Sequence, residues 1–346
     1  VTTALHPAVA ALAWPLGMIL AAVLGSFLNV CISRLPRGES IVLPASHCPS
    51  CRVPIRPVDN IPLLSYAVLR GRCRACGVAI PWRYPLVEAL VVALGALVLW
   101  QLGPTWDGAR AFLLCLAMVA TAFTDLETRR IPDRITLPGV VAACILAPEG
   151  LSRGSAGAAL GAGGLALIRV ARDRRAQARG GAAPPAPDPD DDVDPAEQRR
   201  LDMYWWAAWG ALLGRQLAVV DLATLTATTL PLAWRVLGQI DHVVAGCLVT
   251  GGVFFLVAWV SHAVLGRTGL GGGDIKLAGL IGAALGAGGG LVAAFMGIML
   301  GGVAAAALLV SGRRRFGEYL PFGPFLAAGG VAAAFWGRPL LEWYLG

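Results

Sequence analysis

Nine apolar runs decide what this chain can become. They lie near 11–33, 84–102, 108–124, 135–147, 155–171, 242–265, 274–289, 290–311 and 319–336. Crossing a bilayer takes about 20 helical residues, and several runs reach or approach that length. The rest of the composition agrees. The 346 residues are 57% hydrophobic and 14% charged, and mean hydropathy is +0.68. That balance excludes a disordered chain, a secreted disulfide scaffold and an ordinary soluble enzyme. The expected fold is an all-α polytopic membrane protein with about 8–10 transmembrane helices.

Orientation follows from the arginines. The loop 34–83 holds Arg34, Arg37, Arg52, Arg56, Arg70, Arg72, Arg74 and Arg83 against Glu39 and Asp59. Arg129, Arg130 and Arg134, then Arg169–Arg179, then Arg313–Arg315 follow on the same side. The opposite loops carry only Arg110, Arg153, Arg235 and Arg338. The basic side is expected to be cytoplasmic and the N-terminus outside. The excess of 28 Lys+Arg over 21 Asp+Glu is then a topology signal, with no nucleic-acid partner implied. No basic region precedes the first span, so it is expected to be retained and not cleaved as a signal peptide. Segment 203–232 carries Tyr204, Trp205, Trp206 and Trp209, with Arg215 and Asp221 inside. It reads as a flawed span or an interfacial helix with an aromatic belt. Parity favours a span, which makes ten. Segment 178–198 is rich in Pro, Ala and Asp and reads as a disordered cytoplasmic linker. The expected organisation is a first span at 1–33, a lobe at 34–83, spans at 84–171, an insertion at 172–240 and spans at 241–346.

The lobe 34–83 contains Cys48-Pro-Ser-Cys51 and Cys73-Arg-Ala-Cys76. Two C-x-x-C pairs in one loop fit a four-cysteine zinc site. Each pair presents two thiolates from one tight turn. A reducing cytoplasm disfavours the alternative of two disulfides, and unrelated thiols or a redox pair would not need the doubled spacing. His47 is a spare ligand or an ordinary loop residue. A closed site of four thiolates has no open position for water, so this zinc is structural. Cys31, Cys115, Cys144 and Cys247 lie in spans and read as small buried hydrophobes.

Chemistry must therefore be sought elsewhere. Asp125 ends the run 108–124, and Asp274 follows Gly271-Gly272-Gly273 and opens the run 274–289. Ionisable residues at the edge of a span are costly and point to function. Both belong to the cytoplasmic side at similar depth. Two facing carboxylates can share one proton, so that one activates water while the other polarises a peptide carbonyl. The plainer readings stay open here. Asp274 could cap its helix, and Asp125 could pair with Arg129 or Arg130. Spacing alone does not bring the two together. Nor does it decide whether Lys276, on another helix face from Asp274, tunes the pair or meets lipid headgroups.

Motifs along the chain carry a resemblance. They are Gly25-Ser26-Phe27-Leu28-Asn29-Val30 with Arg34-Leu35-Pro36; the cysteine pairs with Asp59-Asn60-Ile61-Pro62; and Arg83-Tyr84-Pro85-Leu86-Val87-Glu88. Thr124-Asp125-Leu126-Glu127 with Ile131-Pro132-Asp133, Gly271-Gly272-Gly273-Asp274-Ile275-Lys276 and Pro321-Phe322-Gly323-Pro324 complete the set. In this order they resemble the bacterial type IV prepilin peptidases, of the GxGD group of membrane aspartic proteases. The resemblance implies that Asp125 and Asp274 are the catalytic pair, with Gly271, Gly273 and Lys276 supporting the motif. It implies a prepilin or pseudopilin substrate with a basic leader and a hydrophobic helix, cleaved at the cytoplasmic face of the bacterial inner membrane. It also implies methylation of the new N-terminus from S-adenosylmethionine, since the cysteine loop is retained. No motif places the S-adenosylmethionine site. The insertion at 172–240 departs from the family pattern. A proton or cation transporter would want carboxylates near the midplane, and a membrane scaffold would leave the glycines before Asp274 unexplained.

Overall fold

The computed structural model describes residues 7–146, 242–265, 270–313 and 320–345. The expected spans at 155–171 and 203–232, the linker 178–198 and the insertion 172–240 lie outside the described residues. In chain order the helices are α1 (Pro7–Arg34), α2 (Leu64–Val68), α3 (Arg83–Leu102), α4 (Trp106–Thr128), α5 (Asp133–Ile145), α6 (His242–Leu265), α7 (Gly272–Val310) and α8 (Gly323–Leu345). Among the described residues there are no strands, only the isolated bridges His47–Pro54 and Arg72–Ala79. Among the described residues, five helices (α1, α3, α4, α6 and α7) are long and apolar enough to cross a membrane. The all-α membrane architecture expected from the apolar runs is what forms.

The helical period shows which faces meet lipid. On α1, Leu12, Leu16, Ile19, Leu20, Val23 and Phe27 are exposed, and their spacing places them on one face. On α6, Val253, Leu256, Val257, Val260 and Val264 form a similar exposed stripe, while Val243, Cys247, Thr250, Phe254 and Ala258 are buried on the other side. A large exposed apolar stripe is unfavourable in water and expected in a hydrocarbon solvent.

The chain forms two compact units, Val1–Thr124 and Asp125–Gly346. In the first, α1 packs on α3. In the second, α7 is the centre, and α5, α6 and α8 pack on it. The start of α7 is covered on every side: Lys276 to Ala283 are buried without a break.

As a straight rod, the 39 residues of α7 would span about 58 Å, nearly twice the hydrocarbon core of about 30 Å. It is not straight. Gly286 has φ 73° and ψ 175°, a conformation open to glycine and closed to most side chains. A Cβ placed on Gly290 would lie 2.9 Å from the Cα of Gly282, eight residues back. A straight helix would separate those positions by about 12 Å. The chain therefore doubles back at Gly286 into two limbs, matching the two runs expected at 274–289 and 290–311. The hairpin closes on α6, where Gly246 and Gly282 meet backbone to backbone and Thr250 lies beside Gly290. Small residues at crossings let helices approach without side chains between them.

A leucine at Gly290 has no room. Gly290→Leu is expected to destabilise the second unit by about 1–3 kcal/mol, read as a lower melting temperature of the detergent-purified protein. A methyl group on Gly252 would meet nothing within 4 Å, and Gly252→Ala should melt no lower than the parent.

Candidate active site and metal centre

In the connection between α1 and α3 the two cysteine pairs fold alike. Cys48 N–H donates to the Val53 carbonyl at 3.0 Å, and Arg52 N–H donates to the Cys48 carbonyl at 2.9 Å. The second pair repeats this, with Cys73 to Val78 at 2.9 Å and Gly77 to Cys73 at 2.9 Å. The residue after each pair, Arg52 (φ 58°) or Gly77 (φ 71°), turns left-handed to close the loop. The four Sγ atoms of Cys48, Cys51, Cys73 and Cys76 lie within 4.8 Å of one another, with Cys48 and Cys76 3.8 Å apart. A tetrahedron with Zn–S bonds of about 2.3 Å has edges of about 3.8 Å, so the donor set fits zinc. Backbone N–H groups of Cys51 and Ser50 hold the Cys48 thiol down to about 6. That favours the thiolate, the form that ligates metal, while burial and the neighbouring thiols push Cys76 up to about 11. His47 turns its Nδ1 to the Ala45 carbonyl at 3.0 Å and reads as an ordinary loop residue.

Two further pins organise this lobe. Arg74 grips Asp59 with its Nε at 3.0 and 2.9 Å and its Nη2 at 2.6 Å. The guanidinium holds the Asp59 carboxyl below its usual range. Glu88, buried on α3, accepts the Leu63 N–H at 2.8 Å and is also reached by the Ser26 hydroxyl. Leu63 has φ 62°, so the carboxylate secures a backbone turn that leucine rarely adopts. Beside it, Asn29 Nδ2 donates to the Tyr84 carbonyl at 3.0 Å and Arg83 donates to the Ser33 hydroxyl at 2.9 Å. In the sequence, Asn29, Arg83 and Glu88 stand only as motif letters. An acid inside the run 84–102 is the signal that Glu88 has a buried partner.

The second unit holds both candidate aspartates. Asp125 sits in the last turn of α4, 4% exposed. The helix ends one turn later at Arg129, whose φ of 52° stops it. Asp125 Oδ2 accepts the Gly323 N–H at 3.1 Å. That amide is delivered by the Pro321–Pro324 turn, where Phe322 lies against Phe254 of α6 with ring centroids 6.1 Å apart. A Cβ on Gly323 would lie 2.6 Å from Asp125 Oδ2, so only glycine brings its amide this close. Asp274 is the third residue of α7, 6% exposed, and its Oδ2 accepts the Gly271 N–H at 3.3 Å. Asp274 is not the N-cap that the sequence left open: Gly271 holds that position, and Asp274, at the third helical residue, accepts the Gly271 amide. The helix N-terminus favours negative charge there. Both carboxyl groups are buried within the second unit.

The remaining motif residues have distinct tasks. Gly273 lies under Ile131, whose Cβ would be 3.1 Å from a Cβ added there. Lys276 reaches neither solvent nor headgroups: it is 7% exposed, and its Nζ is 2.8 Å from Asp133 Oδ1. Gly323 and Asp133 both belong to the sequence motifs, yet nothing local to either predicts its partner.

Comparison with known proteins adds the following. The model of the bacterial peptidase A24 N-terminal domain matches residues 19–102, and that of the type IV leader peptidase family matches residues 112–180. The prepilin leader peptidase/N-methyltransferase of Burkholderia pseudomallei (strain 1026b) is 30% identical, with 96% of this chain and 90% of that protein covered. The protein of the same name from Aeromonas salmonicida (strain A449) is 28% identical, with 93% and 90% covered. That of Myxococcus xanthus (strain DK1622) is 45% identical over 129 residues, covering 37% of this chain and 38% of the relative. No solved structure matches.

The thiol geometry makes a direct prediction. Protein purified without chelator should carry one zinc per chain by elemental analysis. Cys48→Ser combined with Cys73→Ser should abolish it, because two ligands remain where four are needed. Absence of zinc from the unsubstituted protein would refute the metal reading.

Proposed function

The chain belongs to the type IV leader peptidase family, and on that premise we propose that it removes the leader of prepilins or pseudopilins with Asp125 and Asp274 as an aspartyl pair. The observation that carries this reading is two buried carboxyl groups in one unit, each held by a single backbone N–H, with the segment after Asp125 packed on the motif that bears Asp274 through Ile131 on Gly273 and Asp133 on Lys276. Each amide occupies an Oδ2, which leaves the other oxygen of each group for proton transfer. Like charges at close range favour a shared proton. The ionised carboxyl takes a proton from water as it attacks the scissile carbonyl. The protonated one donates to the carbonyl oxygen, and collapse of the tetrahedral intermediate returns a proton to the departing amine.

The reading places cleavage at the cytoplasmic face of the inner membrane. The arginine pattern that puts the loop 34–83 and the ends of α4 and α7 on one side supports it. The substrate would be a segment with a basic leader and a hydrophobic helix embedded in the same bilayer. The new N-terminal amine is then methylated, with S-adenosylmethionine supplying the methyl group. The name shared by the relatives that align over most of the chain supports this second activity. Zinc in the cysteine lobe is structural. Its four thiolates leave no position for water, so cleavage is assigned to the carboxyl pair alone.

Purified protein incubated with a prepilin should produce a leader-sized loss of mass, followed with S-adenosylmethionine by a methyl-sized gain. Asp125→Asn and Asp274→Asn should each lower cleavage by at least about 10³-fold while the protein still inserts. Retained cleavage in either would sink the pair. Gly323→Ala should also lose cleavage by about 10²-fold, through displacement of the Asp125 carboxyl.

A further inference from the structure

A lysine near a helix N-terminus is in an unfavourable place, because the helix dipole there repels cations. Lys276 is the fifth residue of α7, and it is buried. Its partner, Asp133, is the first residue of α5, where the dipole favours an acid. Their side chains are 8% and 12% exposed, and Nζ and Oδ1 are 2.8 Å apart. Desolvating two charges offsets most of the gain from pairing them, so apolar side chains of similar volume would hold two helices together as well. What an ion pair adds is a fixed geometry at one point of contact.

That point is informative. Lys276 is two residues beyond Asp274. Asp133 lies just past the turn that follows Asp125, in the segment whose Ile131 presses on Gly273. The segment leading away from one carboxyl is thus clamped at two adjacent positions to the segment bearing the other. We propose that the Lys276–Asp133 ion pair is a positioning element that sets the separation of Asp125 and Asp274. It rests on the reading of those two residues as the catalytic pair. Neither Lys276 nor Asp133 touches the substrate in this role. Both act through the backbone that carries the aspartates, and a misplacement of about 1 Å in such a pair can cost about 10²-fold in rate.

The test uses the full chain in detergent with a prepilin substrate. Lys276→Met, Asp133→Asn, the double substitution and Asp125→Asn are compared with the parent. The double variant is decisive because it removes both charges of the pair together and so is the one expected to fold if a single substitution does not. Positioning predicts a kcat about 30-fold lower with KM within about twofold, since binding is spared and only the reacting geometry is lost. It predicts that the double variant loses no more than a foldable single variant, because both remove the same contact. Lys276→Arg, which retains the pairing charge, should recover most of kcat. A double variant with the parent's kcat overturns the proposal. So does a double variant whose loss of activity is matched by collapse of its melting transition, for then the pair only holds the fold. Asp125→Asn separates the two levels: if it still cleaves, the aspartyl pair itself is wrong, and if it is inactive while the double variant works, only the positioning role falls.

Discussion

Hydrocarbon supplies no hydrogen bonds. Each backbone N–H and C=O that enters it must be satisfied within the protein, and the same demand falls on every polar side chain. The helices answer the first demand. The second is answered case by case and not everywhere: among the described residues the buried Oγ1 of Thr136 and of Thr250 has no partner. Thr121 and Thr124 return their hydroxyls to carbonyls one turn back, Ala117 at 2.8 Å and Ala120 at 2.9 Å. Glu88 takes the Leu63 amide, Asp125 that of Gly323, Asp274 that of Gly271, and Lys276 takes Asp133. Where the partner is remote in sequence, satisfying it fixes tertiary geometry. The polar residues of this protein are few, and they act as its pins.

Glycine makes those pins possible. The first limb of α7 can be covered on all sides only because neighbouring backbones come close, as at Gly246 and Gly282. The doubling back at Gly286 returns the second limb to cover it. Asp274 and Lys276 thus stand at the start of a helix that has little freedom to shift. A carboxyl on a lipid-facing helix would lack both the burial and the fixed amide partner.

The cysteine lobe and the carboxyl pair differ in how readable they were. Each C-x-x-C loop is a local structure closed by hydrogen bonds within six residues. Its spacing already contains its shape, and two copies in one loop predicted the cluster. The setting of the two carboxyl groups depends on packing between distant segments, such as residues 125 and 323, which no local pattern encodes. Motif resemblance identified the aspartates, and α7's two apolar runs foretold its hairpin, though not the break at Gly286. The partners of Lys276 and Glu88 were invisible for the same reason: a buried charge announces that a partner exists without naming it.

By itself, the sequence determined that this is a helical membrane protein, that four thiols would gather, and that two acids at span ends called for a chemical reading. Hydrophobic runs and short metal-ligand spacings are local properties, and local properties survive without a fold. Only the tertiary structure decided that Gly323 supplies an amide to Asp125, that Asp274 is buried while accepting the Gly271 amide, and that Lys276 is buried against Asp133. Those are contacts between distant segments. They come into being when helices pack, because only then is water excluded and a buried polar group confined to the partners that packing brings to it.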